Sequence, residues 1–402
     1  MMEKALLFIL ASTYLVFSIV AIEYPYGPSV NYYPSRTPSI VEARQFDADH
    51  KKVVPFDAQA IANAVNSFTD QQIEEGVAVF LEPGNVNGSG AGSTSPPWLQ
   101  NIGKKGRSRR ILITPLGKWG SCTFSNNVKI QSVYGVAFGG FNFTTNDGSG
   151  HRQGFLCQDC TESAVFNMAP LTYVCGQSID NLPTWDIEFV NIVIPTSYVK
   201  HDVDNDADTA DFRVTKNSPA TNVSFIGCYF APSFREKGSK AHTDTLQISG
   251  YSDYTNFTVK NSVFFGSTNS AAQVGATKGY HFVNSLIIGS NMTNVRYPIL
   301  PGADGYDIGY VTPNGVNGAA IDASAINSIL IGSIGATRWA FQSNSTISYT
   351  PQSSQEPATG DKWSVDPSLL HINEAWIDER VANITDDYLQ SIFNNISQPF
   401  DL

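Results

Sequence analysis

Three runs in the middle of the chain share one pattern. Val223–Phe230 (VSFIGCYF), Phe257–Phe265 (FTVKNSVFF) and Tyr280–Ile288 (YHFVNSLII) alternate large apolar residues with small or polar ones. That is the mark of a strand with one buried face. Each run is broken at the same point, by Gly227, Asn261 and Asn284. Val190-Asn191-Ile192 and Ile326-Asn327-Ser328 repeat the motif on either side, so the breaks are spaced 36, 34, 23 and 43 residues apart (191 to 227 to 261 to 284 to 327). A unit recurring at variable intervals reads as a solenoid whose coils carry insertions. Stacked Asn side chains would hydrogen-bond to one another and to the backbone at each bend, as polar ladders do in stacked strands. The predicted fold is all-β: a right-handed, single-stranded parallel β-helix with an N-terminal capping helix and a short helical C-terminal tail. A β-sandwich with Asn-rich turns is the competing arrangement. It is disfavoured because hairpin signals such as Asn-Gly between paired runs are scarce.

Toward the N-terminus, 22–50 reads as extended, with Pro25, Pro28, Pro34 and Pro38. Asp57 to Phe68 reads as an amphipathic helix capped by Asp57, with Ala58, Ile61, Ala62 and Val65 on one face. Val77–Leu81 follows as a buried strand, and Ile111–Phe143 supplies further strand runs. Asn85–Pro97 is a Gly/Ser-rich loop. Pro351–Gly360 reads as a linker. Asp366–Leu402 reads as helical, with Asp386 and Asp387 near the start of a last helix. The expected organisation is a signal peptide over 1–21, a β-helix domain over 22–350, and a linker with a helical tail over 351–402.

Composition narrows the setting. Of 402 residues 15% are charged, and the formal net charge is −11, which argues against nucleic acid or an anionic membrane as partner. It leaves room for an acidic polysaccharide, because a local basic patch can dominate inside a groove. Lys4, the apolar stretch Ala5–Ala21 and a small residue at its end read as a secretory signal, with a single membrane anchor as the alternative. Sequons at Asn87, Asn142, Asn222, Asn256, Asn291, Asn344, Asn383 and Asn395 agree with export and with a glycoprotein. A secreted monomer, free of the membrane after cleavage, is expected. Export favours disulfides among Cys122, Cys157, Cys160, Cys175 and Cys228, with one left over. The lone pair Cys157–Cys160 lacks the further ligands a zinc site needs. The strongest basic cluster, Gly103–Arg110 (GKKGRSRR), reads as a solvated loop or processing site, or else as a contact for an acidic glycan.

The sharpest local string is Lys240–Ser249 (KAHTDTLQIS). Leu246 and Ile248 should point inward, which turns Thr245, Gln247 and Ser249 outward. On the next coil Ala272 and Val274 point inward and Gln273 outward. On the preceding coil Phe212 and Val214 point inward, with Asp211, Arg213 and Thr215 outward. Coil spacings of 34 and 26 place Arg213, Gln247 and Gln273 in one column of an exposed sheet, with Asp211 beside Thr245; Asp322 extends that column. The insertion before this sheet carries Arg235, Lys237, Lys240, His242 and Asp244. Cations there would neutralise uronate carboxylates, and a Lys, Arg or His held near the carbon next to that carboxylate would act as base. His242 and Asp244 merely bracing the turn is an equally good account of those two residues.

The coil pattern, the N-terminal helix and strand, and the string His242–Gln247 (HTDTLQ) resemble the pectin lyase-like right-handed β-helix superfamily, which includes pectate lyases, other polysaccharide lyases and polygalacturonases. The resemblance covers roughly Asp57 to Tyr349, with HTDTLQ its one compact motif. It implies a site on the sheet assigned to Arg213, Gln247 and Gln273. Thr243-Asp244 is similar to part of the Asn-Thr-Asp of polygalacturonases. Ser270–Gln273 (SAAQ) stands where their paired acids would be, and no Gly-His-Gly occurs, which weakens hydrolysis by facing carboxyls. Many pectate lyases hold calcium between acids on neighbouring coils. Asp202–Asp208 (DVDNDAD) offers oxygens for it, although an acidic solvated loop fits that run better. No residue is assigned as a metal ligand, and the cofactor stays open, with calcium the candidate.

Three functions follow. The first is a polysaccharide lyase acting on a uronic-acid glycan by β-elimination, with Arg213 or Lys240 as neutraliser or base and His242 and Asp244 assisting. Asp211, Arg235, Lys237, Thr245, Gln247 and Gln273 would bind the sugar. The second is a glycoside hydrolase with Asp211 and Asp244 as its acids. The third is a glycan-binding surface protein without catalysis.

Overall fold

Strands stack in register along most of the chain, each pairing with the equivalent strand one coil later. The structure is a computed structural model, and it describes residues 23–89, 95–144, 154–171, 174–178, 184–199, 208–214, 220–250, 254–275, 277–306 and 314–394. Eight parallel strands form a front sheet: Leu99–Gly103, Val128–Tyr134, Phe155–Gln158, Val174–Ser178, Ala210–Val214, Asp244–Gly250, Ser270–Val274 and Val316–Gly318. A second row runs through Thr184–Ile194, Ala220–Ile226, Tyr254–Lys260, Thr277–Val283 and Ala323–Ile326. A third runs through Tyr229–Phe230, Val263–Phe265, Leu286–Ile288 and Ile329–Ile331. Each coil contributes one strand per row, which is a single-stranded parallel β-helix. The rows continue through Thr359–Gly360 and Ser364–Val365, inside and just beyond the stretch expected to be a linker. The interior is apolar, with Phe189, Phe225, Phe257 and Phe282 among its fully buried rings.

The bend between the second and third rows is where the sequence breaks fall. Asn167, Asn191, Asn261, Asn284, Asn327 and Asn344 all have φ between 46° and 53°, and Gly227 has 60°. A left-handed backbone costs an ordinary residue roughly 1–2 kcal/mol, and Asn and Gly tolerate it best. The Asn side chains then bond along the stack. Asn191 Nδ2 donates to Asn167 Oδ1 (3.2 Å), Asn284 Nδ2 to Asn261 Oδ1 (2.8 Å) and Asn344 Nδ2 to Asn327 Oδ1 (2.9 Å). The serine that follows four of these asparagines builds an inner ladder. Ser285 N donates to Ser328 Oγ (3.1 Å), and Ser328 N to Ser345 Oγ (3.1 Å). A second bend, at Asp186, Asn222, Asn256, Gly279 and Asp322, is also left-handed. Asp322 lies in that bend and pairs with Arg338 at 3.3 Å, so it does not extend the front-sheet column.

Gly227 interrupts the Asn stack for a reason. The N-terminal segment runs as a strap across these bends, and the Tyr32 ring lies against Gly227; a Cβ there would be 2.3 Å from Tyr32 Cδ2. Asn191 fastens the strap. Its Oδ1 accepts from Ser29 N (3.1 Å), and its Nδ2 donates to the carbonyls of Ser29 (3.0 Å) and Tyr32 (3.1 Å). The helix Ala58–Asn66 is capped by Asp57 as expected and buries Ile61, Ala64 and Val65 in the same core cluster as Val79 and Leu99. A further helix, Asp70–Glu75, follows it with a Thr69/Gln72 capping box. At the other terminus, Asp386–Phe393 is helical. It packs Leu389, Ile392 and Phe393 with Tyr26, Tyr229 and Phe265 against the outside of the third row. No helix among the described residues is long and apolar enough to cross a membrane; the expected signal over 1–21 lies outside the described residues.

Two expectations change here. Four of the five cations in the basic loop Gly103–Arg110 are engaged in ion pairs that tie the strap and capping helices to the coils. Lys104 and Arg107 pair with Asp70 (2.8 and 3.0 Å), Arg109 with Glu42 (3.4 Å), and the buried Arg110 with Glu188 (2.9 Å). Cys122, Cys160 and Cys228 form no disulfide. They behave as small core residues; Cys228 Sγ donates to Phe189 O (3.3 Å), and burial pushes its thiol up to about 12. Of the sequons, Asn256 and Asn344 spend their amides inside the bend ladders.

Two outcomes are expected. Asn191→Ala removes the strap's anchor and leaves Ala in a left-handed bend, lowering stability by about 2–4 kcal/mol. Chemical denaturation reads this, with the exposed Asn344→Ala shifting the midpoint less; equal midpoints for wild type and Asn191→Ala would contradict the strap's role. The second concerns acid. Burial alone would raise the Glu188 carboxyl, but Arg110 and Ser35 outweigh it and hold it below its usual 4.5. Its stabilisation is therefore complete above that value and lost as pH falls through the depressed one. Glu188→Gln should be weaker at neutral pH and show a shallower loss of denaturant midpoint between about pH 5 and 3 than wild type.

Candidate active site on the front sheet

The outward face of the front sheet follows from strand parity. Phe212, Leu246, Ile248, Ala272 and Val274 are buried in the core, which turns Asp211, Arg213, Gln247 and Gln273 to the other side. Register then sets the columns. Asp211, Gln247, Gln273 and Asn317 lie opposite one another on successive strands. The neighbouring column runs Gln100, Gln131, Gln158, Gln177, Arg213 and Ser249. Arg213 is thus one column away from Gln247 and Gln273, and Asp211, not Arg213, lies in their column. The expected 34-residue spacing belongs to the second row of the same two coils. The segment between Val214 and Ala220 is two residues longer than that between Gly250 and Tyr254, so the front strands of these coils sit 36 apart.

Around this face three coils bring a polar cluster together. Asp244 is fully buried, and its Oδ1 accepts from Asn269 Nδ2 (2.8 Å) and from Ser270 Oγ. Its Oδ2 lies 2.9 Å from His242 Nδ1 but accepts no hydrogen bond, so the imidazole approaches off the N–H line. Asp244 N donates to Asp208 Oδ1 (2.8 Å), and Asp208 Oδ2 lies 3.8 Å from Arg213. Arg213 Nε donates to Asp211 Oδ2. The guanidinium side chain is 39% exposed and His242 40%, whereas the carboxylates of Asp208 and Asp244 are enclosed. Gln247 Oε1 is buried without a hydrogen-bond partner, an acceptor held open beside Asp211.

The imidazole tautomer follows from its neighbour. Asn269 Nδ2 faces the Asp244 carboxylate, which only accepts, so it is the amide's NH2 end. The same NH2 lies 2.8 Å from His242 Nε2, which must therefore be the acceptor nitrogen. The proton of neutral His242 then sits on Nδ1, on the Asp244 side.

Of the residues singled out in the sequence, the structure brings Asp211, Arg213, His242, Asp244, Gln247 and Gln273 together. Thr245 is a correction. The strand bends at its start, so Thr245 is buried, and its hydroxyl donates to Phe265 O (2.5 Å) beside Ser267 Oγ (2.9 Å). Arg235 is also a correction: it is engaged by Asp304 (3.0 Å) and by Ala241 O (3.0 Å), holding the insertion closed. Lys237 and Lys240 are exposed, and among the described residues no side-chain bond joins them to the cluster. Sequence reasoning missed Asn269, Ser270, Asn317 and the role of Asp208. A signal existed for the first two, which directly precede Ala271-Ala272-Gln273 and so open the strand carrying Gln273.

Calcium was the candidate cofactor. Asp208 is the one member of the 202–208 run among the described residues. The group it forms, with His242 and Asp244, includes an imidazole nitrogen. Calcium takes oxygen ligands, so this donor set does not fit it. Clefts elsewhere, such as one of about 270 Å3 lined by Glu23, Tyr32, Ile226 and Lys260, hold no comparable cluster among the described residues.

No protein-family model matches the chain, and no curated protein matches it. Solved structures are similar at low identity. A PL6 family alginate lyase, AlyGC, is 12% identical with a TM-score of 0.38, over 74% of this chain and 43% of that one. The A-module of the mannuronan C-5 epimerase AlgE6 of Azotobacter vinelandii is 15% identical with a TM-score of 0.26, over 72% and 88%. A mannuronic acid specific polysaccharide family 6 lyase from human gut microbiota is 10% identical with a TM-score of 0.27, over 87% and 91%. The chain thus spans less than half the length of AlyGC. At overlaps of this size the fold rests on the register of its own strands.

Asp244→Asn should leave the coil intact yet change the imidazole. An NH2 replaces the carboxylate oxygen facing Nδ1 while Asn269 still donates to Nε2, so two donors face a ring with one acceptor nitrogen and the protonation pattern of the imidazole must change. The 15N shifts of the His242 ring should report that change, while the retained oxygen that meets Asn269 and Ser270 keeps stability within about 1 kcal/mol of wild type. An unaltered ring spectrum would show that Asp244 does not set the tautomer.

Proposed function

We propose that the protein is an exported carbohydrate-active enzyme, a polysaccharide lyase that cleaves a uronic-acid glycan by β-elimination on its front sheet. The observation that carries this reading is the buried Asp244 backing a half-exposed His242, one coil from the part-exposed guanidinium of Arg213. Abstracting the proton next to a uronate carboxylate builds negative charge on that carboxylate. Arg213 meets that charge, with Asp211 holding the guanidinium in place. His242 takes the C5 proton through Nε2 once Asn269 gives way to the sugar, and Asp244 steadies the imidazolium that results; the C4–O glycosidic bond breaks as the C4–C5 double bond forms, and the departing oxygen is protonated by that imidazolium or by water. Gln247, Gln273 and Asn317 form a row of carboxamides that orients the chain. An extended parallel sheet suits a linear polymer, because successive sugars meet successive strands.

One observation favours hydrolysis as a second reading. Carboxylate oxygens of Asp208 and Asp244 lie within 4.8 Å of each other. Two such buried carboxyls could divide between proton donor and nucleophile. In that case Asp208, and not Asp211, is the partner of Asp244.

Incubation with pectate, alginate and glycosaminoglycans separates the readings. The lyase produces ultraviolet absorbance from an unsaturated uronate, and Arg213→Ala lowers its rate about 100- to 1000-fold. Gln247→Ala mainly weakens binding. New reducing ends without absorbance would replace the lyase by the hydrolase, and binding without cleavage would remove catalysis altogether.

A further inference from the structure

We propose that Asp208, His242 and Asp244 form a binding site for a divalent first-row transition-metal ion of the zinc class. The three donor atoms lie within 4.8 Å of one another on two adjacent coils. Asp244 is fully buried, and its Oδ2 is aimed into the space they share while accepting no hydrogen bond. Asp208, also buried, has Oδ1 committed to Asp244 N and Oδ2 on the Arg213 side.

Charge points the same way. Asp208, Asp211 and Asp244 bring three carboxylates to the cluster, with Arg213 against the first two and His242 against the third. The fully buried Asp244 carboxylate, with one oxygen that accepts no hydrogen bond, is costly to desolvate, and a metal ion would meet that oxygen directly. The donor set selects the class. One imidazole and two carboxylates suit zinc, manganese or iron, whereas calcium and magnesium take oxygen. Bonds of about 2.1 Å span ligand pairs up to roughly 4.2 Å. The set therefore needs only a small closure to share one ion.

This inference stands apart from the lyase reading and makes a distinct demand. A metal bound through the imidazole removes it as a proton acceptor, so the ion and proton abstraction compete for His242. Excess zinc should therefore suppress any cleavage that the front sheet performs.

Calorimetric titration of the full chain, stripped with chelator and without glycan, tests the site. Zn2+ should bind once per chain, with Ca2+ at least tenfold weaker. His242→Ala, at a half-exposed position, should fold normally by circular dichroism and lose at least tenfold in Zn2+ affinity; Asp208→Asn should do the same. Absence of Zn2+ binding, Zn2+ binding unchanged in His242→Ala, or Ca2+ binding as tightly as Zn2+ would overturn the proposal. A protein that binds zinc but cleaves no uronate keeps this site and loses the lyase; cleavage without zinc binding does the reverse.

Discussion

A left-handed bend, repeated once per coil and occupied by asparagine, is the constraint on which the structure depends. A parallel β-helix must turn its chain at the same place on every coil, or the strands on either side lose register. The turn requires a positive φ, which most side chains resist. Asparagine accepts it, and its carboxamide both donates and accepts along the stack, so each bend steadies the next. The serine ladder inside this bend does the same for the adjoining backbone N–H groups. The polar groups of these bend ladders are tolerable inside a solenoid because they bond to their equivalents on neighbouring coils.

The exception at Gly227 shows how the same bend serves a second purpose. Removing one side chain from the stack opens a flat place for Tyr32, while Asn191 turns its amide outward to the strap's carbonyls. The strap in turn meets the C-terminal segment, where Tyr26 bridges to Val381 and the Tyr388 hydroxyl donates to Pro28 O (2.9 Å). The two ends of the chain thus close over the bend side, leaving the front sheet as the face on which side chains project from regular strands.

Much of this was written in the local pattern. The positions of the bends, the inward residues of the front strands and the acidic start of the last helix could each be read from a few residues, because each depends on backbone conformation or period-2 alternation. Lateral neighbours were harder. They depend on loop lengths between sheets, and two extra residues after Val214 were enough to move Arg213 out of the Gln247 column. The fate of individual charges was harder still. Arg110 and Arg235 look alike in sequence to Arg213, yet the first is buried against Glu188 and the second is held by Asp304, contacts made across 78 and 69 positions of chain. No local signal encodes such a partner.

The contrast between two buried acids carries the argument for where function lies. Glu188 is satisfied on all sides: Arg110 supplies the opposing charge, and Ser35 donates from both its N–H and its hydroxyl. Such a carboxylate serves the fold. Asp244 is more deeply enclosed, yet only one of its oxygens is fully used, and the other faces an imidazole that is not aligned to donate to it. Nothing in the strand register demands an acid there; an asparagine could meet Ser270 and Asn269 with less desolvation. On the readings proposed above, a coil that places a full charge at such a position, with its open oxygen turned toward His242, receives positive charge there, as a proton in transit or a metal ion.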